Sequence, residues 1–331
     1  MVAVDTDHMS QNAEPAHGGP PLNGRSGASA PVRSFVWSDY PLERIRDAKC
    51  DTTVSVALPA RNEAATVGPI VSCLRSELLD TGVIDELLVV DDHSSDDTAA
   101  VAAAAGATVS SAEEVLSSYG EGHGKGEVLW KSLFETSGEI VLWCDTDLVE
   151  FDHRFVSGLL GPLLCEDGVE FVKGHYDRPE DDGGGGRVTE LVAKPLISLL
   201  FPELASLRQP LSGEYGGRRE LLEQLPFTEG YGVELGLLVD ISRRFGTSSM
   251  AQVDLEVRHH RNRPLAQLSP QATAILRTAL HKVDPELLAV AALAGDAELG
   301  LLEDTSAPLE RPPMVEVAEY LARHAPEALA V

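Results

Sequence analysis

Asp145 and Asp147 flank a single threonine at the end of the apolar run 140–144. Carboxylates two residues apart on a strand point to one face. At the carboxyl end of a parallel strand that face opens on the crevice where α/β sheets bind ligands. Two hard oxygen donors there suit Mg²⁺ or Mn²⁺, and such an ion in turn suits a diphosphate. The pattern is short, and a polar loop after a core strand fits it equally.

Cations stand out in this chain, because 53 Asp and Glu against 26 Lys and Arg give a formal charge of −27. Lys125 lies in Gly120-Glu-Gly-His-Gly-Lys-Gly126. A glycine loop lets backbone N–H groups approach phosphate, and the lysine adds a charge. Arg187 follows a run of glycines and precedes a predicted helix N-terminus, a seat for anions. Arg258-His-His-Arg-Asn-Arg263 is the densest basic patch, and its place at a strand end favours anion or metal contact over a solvated face. Glu234 opens a helix, where the dipole alone favours a carboxylate.

The elements that carry these residues follow from periodicity. Strands are predicted at 53–59, 84–90, 107–109, 140–144, 169–175 and 251–258. Helices are predicted at 64–79, 98–105, 128–136, 155–164, 188–200 with a break at Pro195, 233–244, 271–282, 284–297 and 314–324. Residues 211–217 read as a small-residue turn holding one acid, Glu214. The alternation of strand and helix predicts an α/β fold with a largely parallel sheet. The Gly-x-Gly-x-x-Gly turn of dinucleotide binders is missing after the first strands, which disfavours NAD and FAD. Four widely spaced cysteines fit no zinc pattern.

Residues 1–33 are rich in Gly, Pro, Ser and Asn, and read as a disordered leader without a signal-peptide core. A nucleotide-binding half at 34–150, an acceptor half at 151–270 and helices with a tail at 271–331 would follow. The acidic balance argues against nucleic-acid and anionic-membrane partners. No apolar run spans a bilayer, so a cytoplasmic enzyme or binding protein is expected.

Leu58-Pro-Ala-Arg-Asn-Glu63, Val90-Asp-Asp-His-Ser-Ser-Asp-Asp-Thr98 and Asp145-Thr-Asp147 resemble a nucleotide-sugar glycosyltransferase of GT-A fold. Gly186-Arg-Val-Thr-Glu-Leu-Val192, Gln209-Pro-Leu-Ser-Gly-Glu-Tyr215, Gly230-Tyr-Gly-Val-Glu-Leu-Gly236 and His260-Arg-Asn-Arg-Pro264 narrow this. They are similar to the glucosyl-3-phosphoglycerate synthase family of retaining transferases, over about residues 35–275.

The resemblance implies a GT-A fold with a mixed, mostly parallel sheet. It implies transfer of glucose from UDP-glucose to D-3-phosphoglycerate, a Mg²⁺, Mn²⁺ or Co²⁺ cofactor, and a homodimer. Pro59, Ala60, Glu63, Asp92 and Lys125 would then border the nucleotide, and Asp145, Tyr231 and Glu234 the sugar. Asp147 and His260 would hold the metal. Gly186, Arg187, Val188, Thr189 and Asn262 would take the acceptor. Catalysis would rest on Asp145, Asp147 and Glu234, by front-face transfer or with Glu234 as nucleophile. A mannosyl-3-phosphoglycerate synthase and a nucleotidyltransferase are the alternatives. Two positions depart from the family's pattern: the stretch before Gly186 is short, and Arg61 stands where another side chain is common.

Overall fold

The computed structural model describes residues 31–120, 122–178, 186–258, 268–284 and 310–324. Its centre is an eight-stranded sheet. In chain order the strands are β1 (Arg33–Val36), β2 (Val54–Ala60), β3 (Glu86–Asp91), β4 (Thr108–Ser111), β5 (Ile140–Trp143), β6 (Phe171–Asp177) and β7 (Tyr215–Arg218). After the two-residue β8 (Phe227–Thr228), β9 (Met250–Val257) completes the sheet. The spatial order is β1-β9-β6-β7-β5-β2-β3-β4. β7 runs antiparallel to both β5 and β6, and every other pairing in this sheet is parallel. The expected α/β class with a mixed, mostly parallel sheet is therefore the observed one.

The central strands are apolar on both faces because both faces are covered. Val54, Val56 and Leu58 pack with the helices α1 (Leu42–Lys49), α2 (Val67–Leu74), α3 (Thr98–Ala105) and α5 (Arg154–Cys165). Ala57, Val141 and Trp143 face the opposite layer, built from α4 (Lys125–Glu135), α6 (Lys194–Leu200), α8 (Val233–Arg244) and α9 (Ser269–Val283). Residues 310–324 close that layer. Arg311 Nε donates to Glu127 Oε2 on α4 at 2.5 Å, and Trp130 Nε1 donates to the Pro312 carbonyl at 2.8 Å.

Three expectations change. Residues 211–217 are more than a turn: Tyr215-Gly-Gly-Arg218 is strand β7. A Cβ on Gly216 would lie 2.2 Å from the Val141 carbonyl oxygen, so glycine lets β7 thread between its neighbours. Pro195 does not end the run: a π-helical turn at Thr189–Ala193 passes directly into α6, in whose first turn Pro195 sits. The helix predicted from 128 starts at Lys125. The helix predicted at 284–297 lies, beyond Asp284, outside the described residues. No helix among the described residues is long and apolar enough to cross a membrane.

Candidate active site

Chain direction decides where side chains can meet. β2, β3, β5, β6 and β9 all end at one edge of the sheet, and antiparallel β7 begins there. That edge is where ligands bind in open α/β sheets. A cleft of about 400 Å³ opens over it. Pro59 and Ala60 come from the end of β2, Asp92 from just after β3, Asp145 and Asp147 from just after β5, and Arg258 from just after β9. Lys125 at the start of α4 and Glu234 in the first turn of α8 face them across the cleft.

The strand before the two aspartates ends at Trp143, so Asp145 and Asp147 stand in a turn and not on a pleat. Thr146 Oγ1 pins that turn by donating to the Pro59 carbonyl at 2.8 Å. What joins the two carboxylates is Arg258, whose Nη2 lies 2.7 Å from Asp147 Oδ1 and 3.4 Å from Asp145 Oδ2. Its Nη1 lies 3.3 Å from Glu214 Oε1 and also donates to the Tyr176 hydroxyl. The Arg258 side chain is only 3% exposed. On the other flank Lys125 Nζ contacts Asp145 Oδ1 at 2.6 Å and Glu234 Oε1 at 3.0 Å. A Cβ on Gly213 would fall 1.8 Å from Asp145 Oδ2, so only glycine there leaves room for the carboxylate.

The electrostatics follow from burial and pairing. Burial opposes ionisation of Asp145, but Lys125 and Arg258 outweigh it and hold the pKa well below the usual carboxylate range. Glu214 is fully buried, and desolvation raises its pKa despite Arg258. Lys173 lies beneath the site. Its Nζ donates to the Ser212 carbonyl at 2.8 Å and sits 3.8 Å from the Tyr215 ring centroid. Burial pushes its pKa down to about 7.

The far end of the cleft is a separate chemical region. Gly186, Arg187, Val188 and Thr189 line it together with Arg178. The Glu190 N–H donates to the Gly186 carbonyl at 2.9 Å, so a helical turn starts there. Two arginines at such a turn suit a small dianion. At the opposite end Glu63 and Arg61 line the wall with Asp92, and Arg61 Nη1 lies 3.6 Å from Asp92 Oδ2.

Every site residue named from the sequence, apart from His260 and Asn262, lines this one cleft; those two lie outside the described residues. Sequence reading counted Arg258 as one member of a basic patch and gave Glu214 and Lys173 no role. The available signal for Arg258 was its position directly after the alternating strand, which puts it at the same sheet edge as Asp145.

A family model, glycosyl transferase family 2, matches residues 55–230. The glucosyl-3-phosphoglycerate synthase of Mycolicibacterium smegmatis is 52% identical over 252 residues, 74% of this chain and 82% of that protein. The crystal structure of glucosyl-3-phosphoglycerate synthase from Mycobacterium tuberculosis with Mn²⁺, UDP-glucose and phosphoglyceric acid matches with a TM-score of 0.75 at 41% identity. That match covers 86% of this chain and 99% of the other. Mannosyl-3-phosphoglycerate synthase from Rubrobacter xylanophilus also gives a TM-score of 0.75 at 41% identity, over 86% of this chain and 97% of that one. With a GT-A cleft of this composition and relatives this similar over most of its length, the chain belongs to the glucosyl-3-phosphoglycerate synthase family of glycosyl transferase family 2.

Proposed function

We propose that this protein transfers glucose from UDP-glucose to 3-phosphoglycerate, with retention at the anomeric carbon and with Mg²⁺ or Mn²⁺ as cofactor. The observation that carries this reading is the division of one cleft into a carboxylate-rich centre and an arginine-lined end. The similar mycobacterial structure holds Mn²⁺, UDP-glucose and phosphoglyceric acid together.

Pro59, Ala60, Glu63, Asp92 and Lys125 border the nucleotide in this proposal, and Asp145, Tyr231 and Glu234 face the sugar. Arg187, with Gly186, Val188 and Thr189 and with Asn262 from outside the described residues, takes the phosphate and carboxylate of the acceptor. Asp147 is a hard oxygen donor whose side chain is 42% exposed at the cleft, which fits a divalent ion; His260 would be its partner. When bound, that ion neutralises charge on the departing diphosphate.

The protein's own contribution is electrostatic and positional. Lys125 fixes Asp145 and Glu234 on one side of the sugar position, and Arg258 fixes Asp145 from the other. Asp145 is ionised, with Lys125 and Arg258 as its counter-charges, and is set to accept hydrogen bonds from sugar hydroxyls. Glu234 forms an ion pair with Lys125, which holds its carboxylate at the sugar position; front-face transfer is the route proposed. Trapping of a glycosyl group on Glu234 would overturn that route in favour of a covalent one.

The test is UDP release with 3-phosphoglycerate, with and without Mg²⁺, over a panel of UDP-, GDP- and ADP-sugars. Release above background only with UDP-glucose, acceptor and metal together is the expected result. The match to a mannosyl-3-phosphoglycerate synthase makes GDP-mannose the donor to compare, and preference for it would replace the glucosyl reading. Pyrophosphate release instead of UDP release would indicate a nucleotidyltransferase.

A homodimer in the cytoplasm completes the proposal. Leu191 and Leu199, 73% and 80% exposed and eight residues apart along the helical run 189–200, support a self-association face. A monomer mass in light scattering would reject it.

A further inference from the structure

We propose that Asp92, His93 and His123 form a second, zinc-type metal site at the nucleotide end of the cleft, at which Zn²⁺ competes with the donor. One ligand atom from each of the three lies within 4.8 Å of the others. Asp92 and His93 follow β3, and His123 comes from the glycine loop that leads into α4.

Three features show that the cluster is held and not merely adjacent. The Gly124 N–H donates to Asp92 Oδ2 at 3.2 Å, which clamps the loop carrying His123 onto the acid. His93 takes a left-handed backbone (φ 56°), which brings its Nδ1 to 3.0 Å from Asp92 Oδ1. The imidazoles of His93 and His123 lie with centroids 4.3 Å apart. His93 Nε2 is buried and has no hydrogen-bond partner among the described residues. The ligand atom of His93 in this arrangement is Nδ1, the ring nitrogen that faces Asp92.

The donor set defines the ion. Two imidazoles and one carboxylate match Zn²⁺, and also Co²⁺, Ni²⁺ and Cu²⁺, whereas Mg²⁺ takes oxygen ligands. Donors on a tetrahedral ion with bonds of ~2.0 Å stand roughly 3.3 Å apart. Asp92 and His93 are already near that spacing, and exposed His123 needs a side-chain rotation to complete it. Three protein ligands leave one position for water, the arrangement of accessible zinc sites.

Asp92 and Gly124 line the cleft beside Pro59 and Ala60, so an ion here occupies the wall assigned above to the nucleotide. The competition part rests on that assignment; zinc binding itself does not.

The probes are Zn²⁺ by equilibrium dialysis and Co²⁺ by visible absorption, both on the full chain with excess Mg²⁺ on oxygen-rich sites. Wild-type protein should bind one more Zn²⁺ than His93→Asn or His123→Asn, or bind it at least tenfold more tightly. It should also show tetrahedral Co²⁺ bands that either variant loses. Asparagine tolerates the left-handed backbone at 93, and His123 is exposed, so folding is preserved. UDP in excess should weaken Zn²⁺ binding at least tenfold, and Mn²⁺-supported turnover of His123→Asn should match wild type while its zinc inhibition falls. Equal Zn²⁺ affinity and stoichiometry in wild type and both variants would overturn the site. Zn²⁺ binding that depends on His93 and His123 but ignores UDP would overturn the competition alone.

Discussion

Arg258 donates to Asp147 at 2.7 Å, so the carboxylate assigned to the metal already carries a buried guanidinium. The same guanidinium serves Asp145 and Glu214, and removing it leaves fully buried Glu214 without its cation while Asp145 keeps Lys125. Arg258→Met should therefore destabilise the metal-free protein by about 3–5 kcal/mol, the usual cost of breaking a buried pair. Saturating Mn²⁺ should restore part of that loss in a thermal melt. An equal melting shift with and without Mn²⁺ would show that the ion does not share these carboxylates.

Asp147→Asn keeps the size and removes the charge. UDP release should fall about a hundredfold or more, with Mn²⁺ affinity lost in parallel in a titration calorimeter. Retained Mn²⁺ affinity would move the metal away from Asp147.

Gly213→Ala tests Asp145 without touching its chemistry. The added methyl would sit 1.8 Å from Asp145 Oδ2, so the carboxylate must leave Arg258 or Lys125. The KM for the sugar donor should rise about tenfold, the worth of a charged hydrogen bond, while the KM for the acceptor holds. Unchanged donor kinetics would place the sugar elsewhere.

Arg187→Ala should act on the other substrate. Losing one arginine contact to a phosphate or carboxylate raises the 3-phosphoglycerate KM by about tenfold or more. UDP binding, read by calorimetry in the absence of acceptor, should not change.

Lys173 predicts a pH dependence of stability. Its folded pKa, about 7, is below the ordinary 10.5, so the native state gives up this proton before the unfolded chain does. Its contribution to stability then rises with pH from about 7 to about 10 and is smallest below 7, where the buried charge is carried in full. Lys173→Met should compare best with wild type at pH 6, and the comparison should shift toward wild type by pH 9.5. Urea midpoints at both pH values measure this, and parallel curves would refute it.

Legibility in the sequence followed the range of the interactions. The helix at 98–105 was readable because Gly106 ends it in a left-handed conformation, and the helix at 233–244 because its apolar face repeats locally. β7 was not readable: Tyr-Gly-Gly-Arg has no alternation, and its shape is imposed by β5 and β6 on either side. The start of α4 was missed because Gly126 looks like loop, although it packs against the Thr228 carbonyl. Types and positions of the cleft residues could be read because strand ends share one edge. Their ion pairs could not, since Arg258 meets Asp147 and Asp145 across 111 and 113 residues.

The edge pair β1 and β9 ties Arg33 to Ala251 in parallel register. During synthesis at ~5–20 residues per second, β1 waits roughly 10–45 s for its partner to be made. Asp145, Asp147 and Glu214 all emerge before Arg258 does. A ribosome-bound chain thus has Lys125 for Asp145 but no cation yet for Asp147 and Glu214, and translation must pass the ninth strand before the cleft can be electrically balanced.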